Sequence, residues 1–300
     1  MIYATPDAYL DAPRKAVALV GMSGLGKTCT AAMLRESGDW FHYSVDYRIG
    51  TRYMGEHITD NVKRQAMKVP FLAELLKSDS IYIASNITFE NLAPLSTYLG
   101  KPGDPAKGGI PFAEYLKRQR QHREAEIAAL LDTPSFRGKA DAIYGYAHFL
   151  ADTGGSICEV VDPTDPDDPV LTALAAETLI VQIRGNEALE EELCRRFERA
   201  PKPMYYPEPL LLELWTAFRE AHGFTAEEAD QRVDPDSFIA HGFRTLLNQR
   251  VPRYDAIGEH WGVTVDAAEV AALRSAEDFD ALIAEAIRRR SAPMPAKAAG

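Results

Sequence analysis

An apolar run, AVALV at 16–20, meets a glycine-rich octet, GMSGLGKT at 21–28, and nothing else in this chain of 300 residues constrains its fold so tightly. A short apolar run with β-branched residues is a buried strand, the glycines turn the chain, and TAAMLRESG at 30–38 continues as a helix closed by Gly38. Gly21, Gly26, Lys27 and Thr28 fill every fixed position of G-x-x-x-x-G-K-[ST]. A chance match in a chain of this size arises on the order of once in a hundred. The context is the one the pattern needs, a strand before it and a helix after it.

The chemistry follows from the backbone. A loop of Gly21, Ser23, Gly24, Leu25 and Gly26, running into Lys27, Thr28 and Cys29, turns its N–H groups inward at a helix N-terminus. That end of a helix carries partial positive charge, so the expected occupant is a polyphosphate. Lys27 is placed to reach the β- and γ-phosphates and the Thr28 hydroxyl to ligate Mg²⁺. ATP and Mg²⁺ are the expected cofactors, with GTP equally compatible.

Further along, FHYSV at 41–45, SICEVV at 156–161, TLIVQI at 178–183 and GVTV at 262–265 read as strands. Helical patterns lie between them: DNVKRQAMKVPFLAELLK at 60–77, FAEYLKRQRQHREAEIAALL at 112–131, NEALEEELCRRFER at 186–199, PLLLELWTAFREAHG at 209–223, DSFIAHGFRTLLNQR at 236–250 and EDFDALIAEAIRRR at 277–290. The segments 100–109 and 162–169, rich in glycine or in aspartate and proline, read as loops. Alternating strands and helices predict an α/β fold with a mainly parallel sheet flanked by helices in three layers.

Composition excludes several classes. The chain has 33 Lys and Arg against 44 Asp and Glu, a formal charge of −11, which opposes sequence-independent binding to nucleic acid. Cys29, Cys158 and Cys194 are widely spaced and read as buried free thiols in a reducing compartment. The first residues show no secretory pattern, and no apolar run has the length of a membrane span. The expectation is a cytoplasmic protein without membrane contact.

Several weaker motifs follow the glycine loop in a fixed order. They are Ser44-Val45-Asp46, Arg123-Glu124-Ala125-Glu126, Thr153-Gly154-Gly155, and Arg250-Val251-Pro252-Arg253-Tyr254. In that order they resemble the shikimate kinase branch of the P-loop small-molecule kinases. That family carries D-x-D after its second strand; here the second carboxylate is Asp46 and the first is Ser44. The chain also holds more residues between Asp46 and Arg123 than the family does. One P-loop kinase-like domain is therefore expected over 1–290, with a mostly helical insertion at about 54–115 and a flexible tail at 291–300.

The resemblance implies roles. Asp46 would orient, or take a proton from, an acceptor hydroxyl. Arg123, Glu126 and Arg250, with the backbone of Gly154 and Gly155, would bind a small polar or anionic acceptor. Arg195 and Arg196 would belong to a lid closing over the phosphates. Asp152, ahead of the glycines, would supply the carboxylate near Mg²⁺ that Ser44 lacks.

Each residue also has an ordinary alternative. Asp46 can form a strand-end turn, Arg123 a solvated helix face, Arg250 a helix C-terminus, and the arginines at 195 and 196 routine pairs with glutamates. The expected activity is phosphoryl transfer from ATP to a hydroxyl of a small metabolite. The alternative is a P-loop ATPase or nucleotide switch that binds a protein partner through the insertion. Phosphorylation of a nucleotide or RNA docked on KRQRQHR ranks last, because of the acidic balance.

Overall fold

The computed structural model describes residues 1–291. Of the tail expected at 291–300, Ser291 belongs instead to helix Ala276–Ser291, and 292–300 lies outside the described residues. The chain divides into two units, one of Met1–Ser44, Leu130–Glu190 and the residues from Gln249 on, the other of Val45–Ala129 and Glu191–Asn248.

The first unit is built on five strands, β1 (Ala16–Val20), β2 (Trp40–Ser44), β3 (His148–Asp152), β4 (Leu179–Arg184) and β5 (Gly262–Asp266). Every pairing is parallel and the order is β2-β3-β1-β4-β5. All five residues of β1 are buried, as a central strand covered on both faces requires. Helices Lys27–Glu36, Thr133–Ala142, Pro169–Glu177 and Ala276–Ser291 accompany the sheet. This is the parallel α/β class that the sequence predicts.

The chain leaves β1 toward one edge of the sheet and leaves the adjacent β4 toward the other. The direction thus reverses beside the carboxyl end of β1, where open α/β sheets form a crevice. The glycine-rich loop sits at that end.

Two local expectations need correction. SICEVV at 156–161 is not a strand: Ile157–Glu159 form a short 3₁₀ turn, and the strand is His148–Asp152. Ile157 and Cys158 are fully buried, so the run is apolar because it is interior, a case in which periodicity cannot tell strand from turn. The helix read at 236–250 runs on to Trp261, through Pro252. A proline inside a helix removes one hydrogen bond and usually ends it. Here Arg250 and Arg253, on either side of Pro252, bond to Glu159, Gly155, Cys158 and Val161, which fixes the helix across the break.

The second unit is helical. Phe112–Leu131 and Glu208–Ala221 have the extents that the hydrophobic pattern predicts to within a residue or two, whereas 60–77 divides into Gly55–Ala66 and Pro70–Lys77. Pro70 opens the second of these helices, as its fixed φ favours. The core gathers Tyr115, Tyr206, Leu211, Phe238, Ile239 and Leu246, all nearly or completely buried. Phe112 stacks on Trp215 with centroids 4.6 Å apart. The proline-rich strap before Glu208 is pinned to Phe112–Leu131: Gln119 Oε1 accepts from the Tyr206 amide at 2.9 Å, and the Tyr115 hydroxyl donates to the Met204 carbonyl at 3.1 Å. Among the described residues no helix is long and apolar enough to cross a membrane.

Candidate functional site

The octet after β1 owes its shape to its glycines. Gly24 and Gly26 have φ of 87° and 97°, in the left-handed region that residues with a Cβ avoid. At Gly21 a Cβ would lie 2.8 Å from the Ile183 carbonyl oxygen, so the loop can lie against β4 only without a side chain there. Gly26 caps helix Lys27–Glu36 with no side-chain hydrogen bond. The first N–H groups of that helix therefore lack the side-chain acceptor that usually satisfies one of them, and they suit an anion.

Lys27 is buried, and its ammonium donates to the Gly21 and Met22 carbonyls at 2.6 and 2.9 Å. Its charge is thereby held inside the loop it belongs to. Thr28 Oγ1 donates to Asp152 Oδ2 at 2.8 Å, and Asp152 Oδ1 accepts from the Gly154 amide at 3.3 Å. The sheet register produces this meeting, because Asp152 pairs with Leu19 on β1 and with Ser44 on β2. A hydroxyl and a carboxylate within hydrogen-bond distance, beside a glycine-rich loop at a helix N-terminus, suit a hard divalent cation that keeps phosphate and water among its ligands. The residues present fit Mg²⁺ and a polyphosphate.

Gly154 has a φ of 73°, and Gly155 is pressed against the octet. A Cβ on Gly155 would lie 2.1 Å from Ser23 Oγ and 3.2 Å from both Ser23 Cβ and its amide nitrogen. Rotating Ser23 relieves only the first contact. Gly155→Ala is expected to displace Ser23 and weaken nucleotide affinity about tenfold. An unchanged affinity in a nucleotide titration would show that Gly155 does not set the loop.

Beneath this turn lies Arg250, buried, with Nε 2.8 Å from Glu159 Oε1 and Nη1 donating to the Gly155 carbonyl at 3.2 Å. Burial works against its charge, but the neighbouring Cys158 and Glu159 outweigh it and raise the guanidinium pKa. Burial also pushes the Cys158 thiol up to about 12. Arg253 donates to the carbonyls of Cys158 at 2.6 Å and Val161 at 2.7 Å. Arg250 is thus an interior residue of a continuing helix rather than its C-terminal cap. Sequence reasoning missed Glu159 and Arg253, although the arginine's place in the R-x-P-R-Y run marked it as a companion of Arg250.

Gly24, Leu25, Gly26, Cys29 and Met33 form one wall of a cleft of about 460 Å³, and Leu189, Val270, Leu273 and Arg274 line the remainder. Cys29 is exposed there, against the expectation of three buried thiols; Cys158 and Cys194 are buried. Cys29 is the third residue of helix Lys27–Glu36 and shares its exposed side with Thr28, while Lys27 and Thr30 are buried, which accounts for the difference. A largely aliphatic cleft beside a phosphate cradle can hold a nucleobase and its sugar.

The other predicted residues belong to the second unit. Asp46 is half-buried in the first turn of Val45–Arg48, which begins as soon as β2 ends at Ser44. Arg123 is exposed on Phe112–Leu131, while Arg118, Gln119, His122 and Glu126 of the same helix are buried. His122 Nδ1 lies 3.6 Å from Glu126 Oε2, and its ring stacks on Tyr205 with centroids 4.9 Å apart. Phasing the helix on Tyr115 and Ala129 would have placed positions 118, 122 and 126 inward and 123 at the margin.

Arg195 and Arg196 are exposed on helix Glu187–Arg199, both paired with Glu192 at 3.1 and 2.8 Å. The Arg196 hydrogen bond holds the Glu192 carboxyl below its usual range. These are the routine pairs that their spacing also allows.

No family model matches the chain, and no curated protein matches it either. Among solved structures, a shikimate kinase from Bacteroides thetaiotaomicron is similar, with 15% identity, 92% of this chain and 95% of that chain covered, and a TM-score of 0.36.

Proposed function

We propose that the chain is an ATP- and Mg²⁺-dependent phosphotransferase acting on a hydroxyl of a small polar metabolite. The observation that carries this reading is the Thr28–Asp152 hydrogen bond beside a glycine cradle that encloses Lys27. When bound, ATP supplies the phosphoryl group and Mg²⁺ neutralises charge on its oxygens. The amides from Gly21 to Cys29 bind the phosphates, Lys27 balances their charge, and Thr28 with Asp152 holds the cation.

On the acceptor side, Asp46 takes the hydroxyl proton. Gly154 and Gly155 present backbone amides, positioned from below by Arg250. The resemblance that assigns Arg123 and Glu126 to the acceptor, and Arg195 and Arg196 to the phosphates, extends this reading.

The experiment is ADP release across a panel of hydroxylated metabolites. The expected result is release that rises with one acceptor and falls at least about a hundredfold in Asp46→Asn, with nucleotide affinity retained. Full activity in that variant removes the role of Asp46.

The second reading, a nucleotide switch that binds a protein, draws support from exposed apolar residues in the second unit. Phe71 is 68% and Tyr82 86% exposed, and helix Pro70–Lys77 buries none of its residues. ATP hydrolysis stimulated by a protein and indifferent to metabolites would favour it.

A further inference from the structure

Within the second unit a separate cavity of about 340 Å³ opens between Gly55–Ala66, Ala93–Leu99 and the stretch 83–86. Its polar lining includes Thr59, Asn61, Asn86, Thr97 and Tyr98, aliphatic residues such as Ile58 and Ile83 line the remainder, and no charged side chain lines it. We infer that this cavity is a binding site for an uncharged, hydroxyl-rich molecule of monosaccharide size.

Arg118, which bonds the lining residues Tyr98 and Asn61, is already committed. Buried Arg118 donates to Glu114 Oε1 at 2.9 Å, to the Tyr98 carbonyl at 2.5 Å and to Asn61 Oδ1 at 3.1 Å, and its guanidinium lies 4.6 Å from the centre of the Tyr98 ring. A carboxylate or phosphate meets no cation in the lining, and an ammonium no carboxylate. Either would be desolvated without a partner.

The same arginine fixes what the cavity offers. A guanidinium only donates, so the oxygen of Asn61 must face it, which leaves the Asn61 Nδ2 donors for a ligand. Thr59 donates its hydroxyl hydrogen to backbone carbonyls of its own helix and retains an oxygen that accepts. Along 83–86, no backbone amide donates a hydrogen bond among the described residues, and the alternation of half-buried and exposed positions marks an extended stretch. The lining thus offers donors and acceptors together with aliphatic side chains. A hydroxyl does both jobs, and the C–H face of a ring covers aliphatic side chains; neutral polyols have this chemistry.

The inference goes beyond the phosphotransferase reading, because none of the residues proposed there for acceptor binding lines this cavity. Titrate the full chain calorimetrically with D-glucose and myo-inositol, using gluconate and glucosamine as charged comparators, and then assay each with ATP and Mg²⁺. At least one neutral probe should bind, and the charged probes should bind about tenfold or more weaker. Asn61→Asp keeps the oxygen facing Arg118 but removes the donor, and should weaken the neutral probe about tenfold; Thr97→Val, at an exposed position, should weaken it several-fold.

Binding of no neutral probe, or equal binding of gluconate, overturns the inference. So does an affinity that neither variant changes. A neutral probe that binds as expected upholds the inference whether or not it is phosphorylated, and the phosphotransferase reading stands or falls on the metabolite panel. Phosphorylation of gluconate with no binding of a neutral probe upholds that reading and overturns this inference.

Discussion

Lys27→Met is expected to lower nucleotide turnover by about a hundredfold to a thousandfold while leaving the fold intact. The ammonium is buried and already surrounded by the carbonyls of Gly21 and Met22, so it is a positive charge stored within the loop. Phosphate oxygens are better partners for it than neutral carbonyls, because hydrogen bonds between charged groups are about twice as strong. Methionine keeps the length and apolar stem of the side chain, so the variant loses the charge and little packing. Its melting point should fall only modestly, by the two carbonyl hydrogen bonds, at roughly 1 kcal/mol each. Measuring ADP release alongside thermal unfolding separates the effects. Turnover equal to that of the unaltered chain would mean that the loop does not handle the phosphates.

The largest effect on stability should come from Glu159→Ala, at about 3 kcal/mol or more. Glu159 and Arg250 have side chains only 2% and 6% exposed, and their contact is 2.8 Å. Removing the carboxylate leaves a guanidinium in the interior whose remaining contacts include the neutral Gly155 carbonyl. An unpaired buried charge costs far more than the pair contributes when intact. The same change loosens the turn that sets Gly154 and Gly155, so nucleotide affinity should weaken together with the denaturation midpoint. Chemical denaturation measures the first and a nucleotide titration the second. A loss below about 1 kcal/mol would mean that water or another group replaces Glu159.

Much of the first unit was legible because its signals are local. AVALV, GMSGLGKT and the helix after them are contiguous, and the strand, turn and helix form where the pattern requires. In the second unit, helix Phe112–Leu131 forms where the sequence pattern predicts it. Signals that failed were those that a distant partner decides. SICEVV is apolar because the turn is buried, and the helix through Pro252 survives because Arg250 and Arg253 are anchored to residues far along the chain.

The site divides the same way. Lys27 and Thr28 follow from one motif, whereas the contact of Thr28 with Asp152 depends on β3 lying beside β1, a pairing between residues far apart in the chain. Arg123 was chosen for its motif, while the helix phase buries Arg118 and Glu126. Cys29 was grouped with the other cysteines by spacing, although its neighbours in the chain already placed it at a surface loop.

The central claim is that the loop from Gly21 to Thr28, with Asp152, binds a nucleoside triphosphate together with a divalent cation. Calorimetric titration of the intact chain with a non-hydrolysable ATP analogue, in Mg²⁺ and then in excess chelator, tests it most directly. The account predicts saturable binding at a single site that weakens sharply when Mg²⁺ is removed. Absence of binding, or binding of equal strength with and without the cation, would contradict it.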